Sequence, residues 1–162
     1  MNLEPVNHEP KTPEPSTHNP EPLNPENWSM IENQIKSFFE NKRDIVAVYL
    51  FGSYATGKVR ACSDIDLAIL FDSLSRATIN RRLDKYLIEL SRILRKDIHM
   101  TAMDFAGEAL LKQIFKNGKS IIINDTKKMS YFRMIAYSKI VDFHYHHRKM
   151  QSGIISKVME GI

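Results

Sequence analysis

One cysteine, Cys62, stands in 162 residues, so no internal disulfide can form and a reducing, cytoplasmic setting is expected. No apolar run is long enough to span a bilayer, and the first residues lack the basic, apolar and small-residue pattern of a secretory leader. Proline is absent after Pro25, because all seven prolines lie between Pro5 and Pro25. That stretch is also poor in apolar residues and interleaves Glu, Asn, His and Thr. It cannot bury enough surface to offset the entropy of ordering itself, so residues 1–28 read as a disordered or polyproline-II arm. Excess acid is missing from the rest of the chain. Met1–Trp28 holds five glutamates against Lys11, leaving 22 basic and 14 acidic residues beyond it. A basic body suits a polyphosphate, an acidic protein partner or nucleic acid, and charge alone does not choose among them.

What is present begins after Trp28. Ser29 is placed to cap a helix whose Ile31, Ile35, Phe38 and Phe39 share a face. Ile45–Phe51 reads as a buried strand, and Leu67–Phe71 as a second. Ile79, Leu83, Tyr86, Leu87, Leu90, Ile93 and Leu94 follow helical spacing. Asp97–Met103 fits a third strand, Leu110–Phe115 a short helix closed by Asn117-Gly118, and Ser120–Asn124 a fourth strand. From about Thr126 the pattern is helical, with Gly153 a candidate kink. The alternation predicts an α/β domain with a mixed sheet flanked by helices. The stretch from Phe51 to Asp64 is too short for a helical crossover, so the first two strands should run antiparallel. The expected division is arm 1–28, core 29–125 and C-terminal helical segment 126–162.

The most informative stretch runs from Phe51 to Leu70. Gly52-Ser53 closes the first strand, and ten residues later the chain reads Asp64-Ile65-Asp66. Gly52 lets backbone approach a phosphate unobstructed. Ser53 offers a hydroxyl and an N–H to the same oxygens. Asp64 and Asp66, two apart on a strand, project from one face with α-carbons about 6.6 Å apart, close enough to share a divalent cation. The antiparallel pairing brings Gly52-Ser53 to face them. Lys58 and Arg60, in the connection, could offset triphosphate charge.

This glycine-serine pair, its gap and its paired aspartates resemble the signature of the nucleotidyltransferase superfamily that shares the DNA polymerase β palm. Size and flanking sequence are most similar to its minimal nucleotidyltransferase (MNT) branch, which includes MntA-type antitoxins paired with HEPN-domain toxins. The resemblance extends from about Ile31 to the C-terminus and does not include the Pro-rich arm. It implies a polymerase β palm-like fold and a third carboxylate at a later strand, for which Asp97 in Arg95-Lys96-Asp97-Ile98-His99 is the matching place, with Asp104 next. It implies two Mg²⁺ ions (or Mn²⁺) held by Asp64, Asp66 and Asp97, ATP as substrate, and AMP transfer to a tyrosine hydroxyl of a cognate HEPN toxin. Gly52, Ser53, Lys58 and Arg60 would bind the nucleotide. Two alternatives remain: an antitoxin that neutralises by binding alone, and a nucleotidyltransferase acting on aminoglycoside-type small molecules. Nucleic-acid binding is not the expected main role.

His144 and His147 would share a helical face, but no cysteine or carboxylate completes a metal set, so a basic solvated or partner-facing helix is expected. Cys62 has no histidine placed in sequence to activate it and reads as a packed or loop thiol. Tyr131, Phe132, Tyr137, Phe143 and Tyr145 could serve either the core or an interface.

Overall fold

A computed structural model describes residues 25–59 and 63–160. Helix α1 (Pro25–Glu40) leads into strand β1 (Ile45–Phe51), a five-residue helix α2 (Gly52–Thr56) and strand β2 (Ile65–Phe71). Helix α3 (Arg76–Leu94), strand β3 (Ile98–Ala102), a 3₁₀ turn (Met103–Phe105), helix α4 (Glu108–Asn117), strand β4 (Lys119–Ile123) and helix α5 (Thr126–Glu160) follow. The strands form one mixed sheet in the order β3-β2-β1-β4. β1 pairs antiparallel with both β2 and β4. β2 and β3 are parallel, joined by the α3 crossover.

β1 is buried at all seven positions because helices cover both its faces. Val48 and Leu50 meet Ile35 and Phe39 of α1 and Ile79, Tyr86 and Leu90 of α3. Tyr49 and Phe51 point the other way, toward Leu111 and Ile114 of α4 and Met129, Ala136 and Ile140 of α5. The alternation slips once. Val46 and Ala47, although adjacent, face the same side, where the β1–β2 register shifts between Ile45 and Ala47. α3 is fixed at both ends, by Ser75 accepting from the Thr78 N–H and by Arg95 in the left-handed conformation.

Three boundaries differ from the sequence expectation. α1 begins at Pro25, not after Ser29, because proline is well suited to a first helical turn, where its missing N–H has no partner to lose. Trp28 therefore belongs to the folded body and packs on Tyr54, ring centroids 4.7 Å apart. Residues 1–24, most of the expected arm, lie outside the described residues. The stretch after β1 is not simply a loop, since residues 52–56 make a helical turn with Gly57 left-handed at its end. α5 passes through Gly153 unbroken, in a single helix of 35 residues. Phe132 packs with the core, whereas Tyr131, Tyr137, Phe143 and Tyr145 stay exposed. No helix among the described residues is long and apolar enough to cross a membrane.

Candidate functional site

The end of β1, the start of β2 and the start of β3 share one edge of the sheet, so residues far apart in sequence meet there. Phe51 pairs with Asp66 across the antiparallel ladder. Gly52 follows with φ of 71°, left-handed, and its α-carbon faces the Asp66 carboxylate. A β-carbon at residue 52 would overlap that carboxylate, so glycine is required here both by the backbone turn and by the close approach. Ser53 is half-buried beside it, and its carbonyl accepts from the Lys58 N–H at 3.0 Å. The Thr56 hydroxyl donates back to the Gly52 carbonyl at 3.1 Å, which ties the turn to its own start.

Asp64 lies just ahead of β2 and is exposed, while Asp66 is the second residue of the strand and half-buried. Burial pushes the Asp66 carboxyl above the ordinary carboxylate range. The hydrogen bond and charge of His99 act against that rise, and the neighbouring Asp64 charge adds to it. Two neighbouring carboxylates of like charge form a donor pair that a cation would relieve, and hard oxygen donors suit Mg²⁺ or Mn²⁺. Among the described residues, no three His, Cys, Asp or Glu side chains already converge as a complete ligand cage.

The structure sorts the sequence candidates. Gly52, Ser53, Asp64 and Asp66 come together at this edge. Asp97 sits immediately before β3 on the same edge, exposed, and its backbone carbonyl accepts from the Ile65 N–H at 3.0 Å. Its carboxylate has no hydrogen-bond or ion-pair partner among the described residues. Asp104 is excluded from the site. It accepts from the Phe71 N–H at 3.2 Å, at the opposite end of β2 from Asp66, about 16 Å away along the strand. Burial pushes its carboxyl upward as well, and its role is to close the strand end. Lys58 is exposed in the connection to β2. Arg60 and Cys62 lie outside the described residues.

Sequence reasoning missed His99. The parallel register sets Asp66 opposite His99, and the imidazole Nδ1 lies 3.4 Å from Asp66 Oδ1. The available signal was the spacing itself, since Asp97-Ile98-His99 repeats the polar-Ile-polar pattern of Asp64-Ile65-Asp66. On α5, His144 and His147 have other partners. His144 Nε2 is 2.7 Å from Lys112 Nζ of α4, and His147 stacks on Phe143.

A profile of the family "Polymerase beta, Nucleotidyltransferase" matches residues 33–127, more than half of the chain. Among solved structures, a toxin–antitoxin with AMP-PNP superposes with a TM-score of 0.58 at 25% identity, over 79% of this chain and 98% of that one. The tri-AMPylated Shewanella oneidensis HEPN toxin in complex with MNT antitoxin gives 0.54 at 24% identity, over 82% of this chain and 98% of that one. The toxin–antitoxin MntA-HepT gives 0.53 at 23% identity, over 81% and 98%. No curated protein matches the sequence significantly.

Proposed function

Because the chain belongs to the polymerase beta nucleotidyltransferase family, we propose that it is an adenylyltransferase antitoxin, which transfers AMP from ATP to a tyrosine hydroxyl of a cognate HEPN toxin. The observation that carries this reading is the packing of Gly52 against Asp66 beside Ser53 and Asp64, which sets a glycine-serine turn next to paired carboxylates on one sheet edge. Similarity to a toxin–antitoxin with AMP-PNP supports the nucleotide and the partner. A tri-AMPylated toxin bound to an MNT antitoxin, on the same fold, supports the reaction.

The chemistry is an in-line displacement. The acceptor oxygen bonds to the α-phosphorus of ATP, the bond from that phosphorus to the bridging oxygen breaks, and pyrophosphate leaves with its electron pair while the hydroxyl proton is lost to solvent. Divalent cations, when bound, would lower the acceptor hydroxyl's pKa and offset triphosphate charge. Asp64 and Asp66 would hold them, with Asp97 bordering the site. Gly52 lets the turn pass close beside the Asp66 carboxylate, and Ser53 would present its hydroxyl to the phosphate oxygens. Lys58, on its exposed connection, can reach charge that extends beyond the edge. The Asp64 and His99 side chains stand open to solvent, which leaves room for a protein-borne hydroxyl and not only a small molecule. Tyr131, Tyr137, Phe143 and Tyr145 on α5 supply the exposed aromatic surface that a protein partner would cover. ATP as substrate would suit a cytoplasmic setting.

The test is label transfer from α-labelled ATP to a cognate HEPN-domain toxin, with and without chelator, and growth rescue in co-expression. Wild-type protein is expected to transfer label only without chelator and to rescue growth. The Asp64→Ala, Asp66→Ala double variant should do neither at equal abundance. Full rescue by that variant would replace catalysis with neutralisation by binding.

A further inference from the structure

We infer that the solvent face of α5 is an interface at which two copies of this chain pair as antiparallel helices, about a two-fold axis at Ser138. The inference goes beyond the nucleotidyltransferase reading and does not depend on it.

α5 is apolar on two opposite sides. Met129, Phe132, Ala136 and Ile140, spaced three and four apart, turn one side to the body. On the other side Tyr131, Met134, Ser138, Val141 and Tyr145 follow in alternating steps of three and four, the spacing of a seam between two helices. At about 100° per residue this row lies opposite the one that faces the body. Tyr131, Met134, Val141 and Tyr145 are 64, 61, 64 and 66% exposed. A helix that is apolar on both sides belongs between two partners, and the described residues cover one side only. Tyr137 and Phe143 stand off the row, against Phe115 and His147.

The row reads alike in both directions from Ser138. Three residues away stand Ile135 and Val141, and seven away Tyr131 and Tyr145. That symmetry suits an isologous contact, in which one patch is used twice. Antiparallel pairing sets Tyr131 against Tyr145 of the second copy and Met134 against Val141. The two small Ser138 side chains meet where the helices cross. The helix dipoles then oppose each other. Asp142 borders the row and comes beside the Tyr131 hydroxyl of the second copy, which can donate to it. Each body lies on the far side of its own α5, so the two do not collide. A tyrosine buries about 150–250 Å², so the exposed parts of the row and of Ile135 offer on the order of 500 Å² per copy. The pair would bury about 1,000 Å², enough for a specific interface of modest affinity.

The experiment is sedimentation equilibrium of the full-length protein alone, from low micromolar to hundred-micromolar concentration. Wild-type protein should dimerise. Met134→Glu and Val141→Lys should each weaken the dimer by on the order of a hundredfold, because each buries a charge against an apolar neighbour. Both residues are exposed in a single copy, so the fold is kept, and thermal melts of the two variants check it. Mixed in equal amounts, the two variants should pair again, since residue 134 of one copy meets residue 141 of the other and Glu attracts Lys. Parallel helices would bring 134 to 134 and give no rescue. Wild-type protein that stays monomeric would overturn the inference. If Met134→Glu then also failed to bind a HEPN-domain toxin, the row would belong to that partner. Single variants that still dimerise would move the interface off α5. Folded variants that do not recombine would overturn the antiparallel register. Label transfer to the toxin, read separately, tests the nucleotidyltransferase reading whatever the dimer does.

Discussion

Gly52 and Asp66 touch across the β1–β2 ladder so closely that the space a side chain would need at residue 52 is filled by the Asp66 carboxylate. Two separate costs follow for Gly52→Ala. A left-handed φ of 71° disfavours any side chain by roughly 1–2 kcal/mol, and overlap with Asp66 adds to that. Only the second cost depends on Asp66. In a double-mutant cycle, Gly52→Ala should therefore destabilise the Asp66→Ala protein less than the wild type, with a coupling of about 1 kcal/mol. Urea unfolding of the four proteins measures it. Simple additivity would mean that the two residues do not meet in solution.

Tyr86 ties part of the fold's stability to alkaline pH. Burial first, and then the Asp44 carboxylate to which its hydroxyl donates at 2.9 Å, push its pKa up to about 12. A group whose folded pKa is raised contributes stability that is complete below its unfolded pKa, about 10, and is lost as pH rises through the folded value. The stabilisation should therefore disappear between about pH 10 and 12. Two units correspond to roughly 2.7 kcal/mol at most, and solvent at the Asp44–Arg82 rim reduces that to about 1 kcal/mol. Tyr86→Phe should be less stable than wild type at pH 9 and should lose less on going to pH 11. Every other ionisable group is common to both proteins, so the difference between their urea midpoints isolates Tyr86.

The site divides into what is local in sequence and what is not. Gly52, Ser53, Asp64 and Asp66 are legible because they lie within fifteen residues, and the short link between strands forces them to face each other. His99 is 33 residues beyond Asp66, and its position depends on how α3 returns the chain and on the β2–β3 register. No local pattern specifies that register. A single aspartate at the strand entrance, Asp97, is the more visible residue. The same reasoning explains the helices. Gly153 reads in sequence as a candidate kink, yet glycine costs a helix only about 1 kcal/mol, too little to stop a helix of 35 residues. Pro25 was grouped with the other prolines by composition, although at a helix start it is favourable. Sheet order, with β4 beside β1, is likewise set by packing of α4 and α5 on the Tyr49 face and not by any one segment.

Nucleotide contacts should grade with burial. Ser53 is half-buried beside Gly52, where charge is poorly screened by solvent, and a hydrogen bond to a charged oxygen is worth about 1.5–3 kcal/mol. Ser53→Ala is expected to raise the KM for ATP about tenfold or more. Lys58 is exposed, and a mobile, screened ammonium should give only about a two- to threefold change that fades at high salt. Steady-state transfer at 50 and 500 mM salt separates them. A larger effect at Lys58 than at Ser53 would mean that the connection closes over the nucleotide.

The start of α1 locates where truncation begins to matter. Removing residues 1–24 takes away a stretch rich in proline and poor in apolar groups, and leaves α1 whole. Melting temperature and transfer rate should then stay near those of the full chain. Removing four more residues deletes Trp28, whose ring packs at 4.7 Å and 34° on Tyr54. Tyr54 is buried and follows Ser53 directly on α2, so its loss of cover loosens the turn that presents Ser53. The aromatic contact and the area it buries are worth about 2 kcal/mol, which lowers the melting temperature by several degrees in a body of this size. The transfer rate should fall with it, although Trp28 touches no reacting group. Thermal melts and single-turnover transfer on the two truncations decide the matter. Equal melting temperatures would show that Trp28 adds nothing to the body. A deficit already present on removal of residues 1–24 would show that the proline-rich segment docks on it.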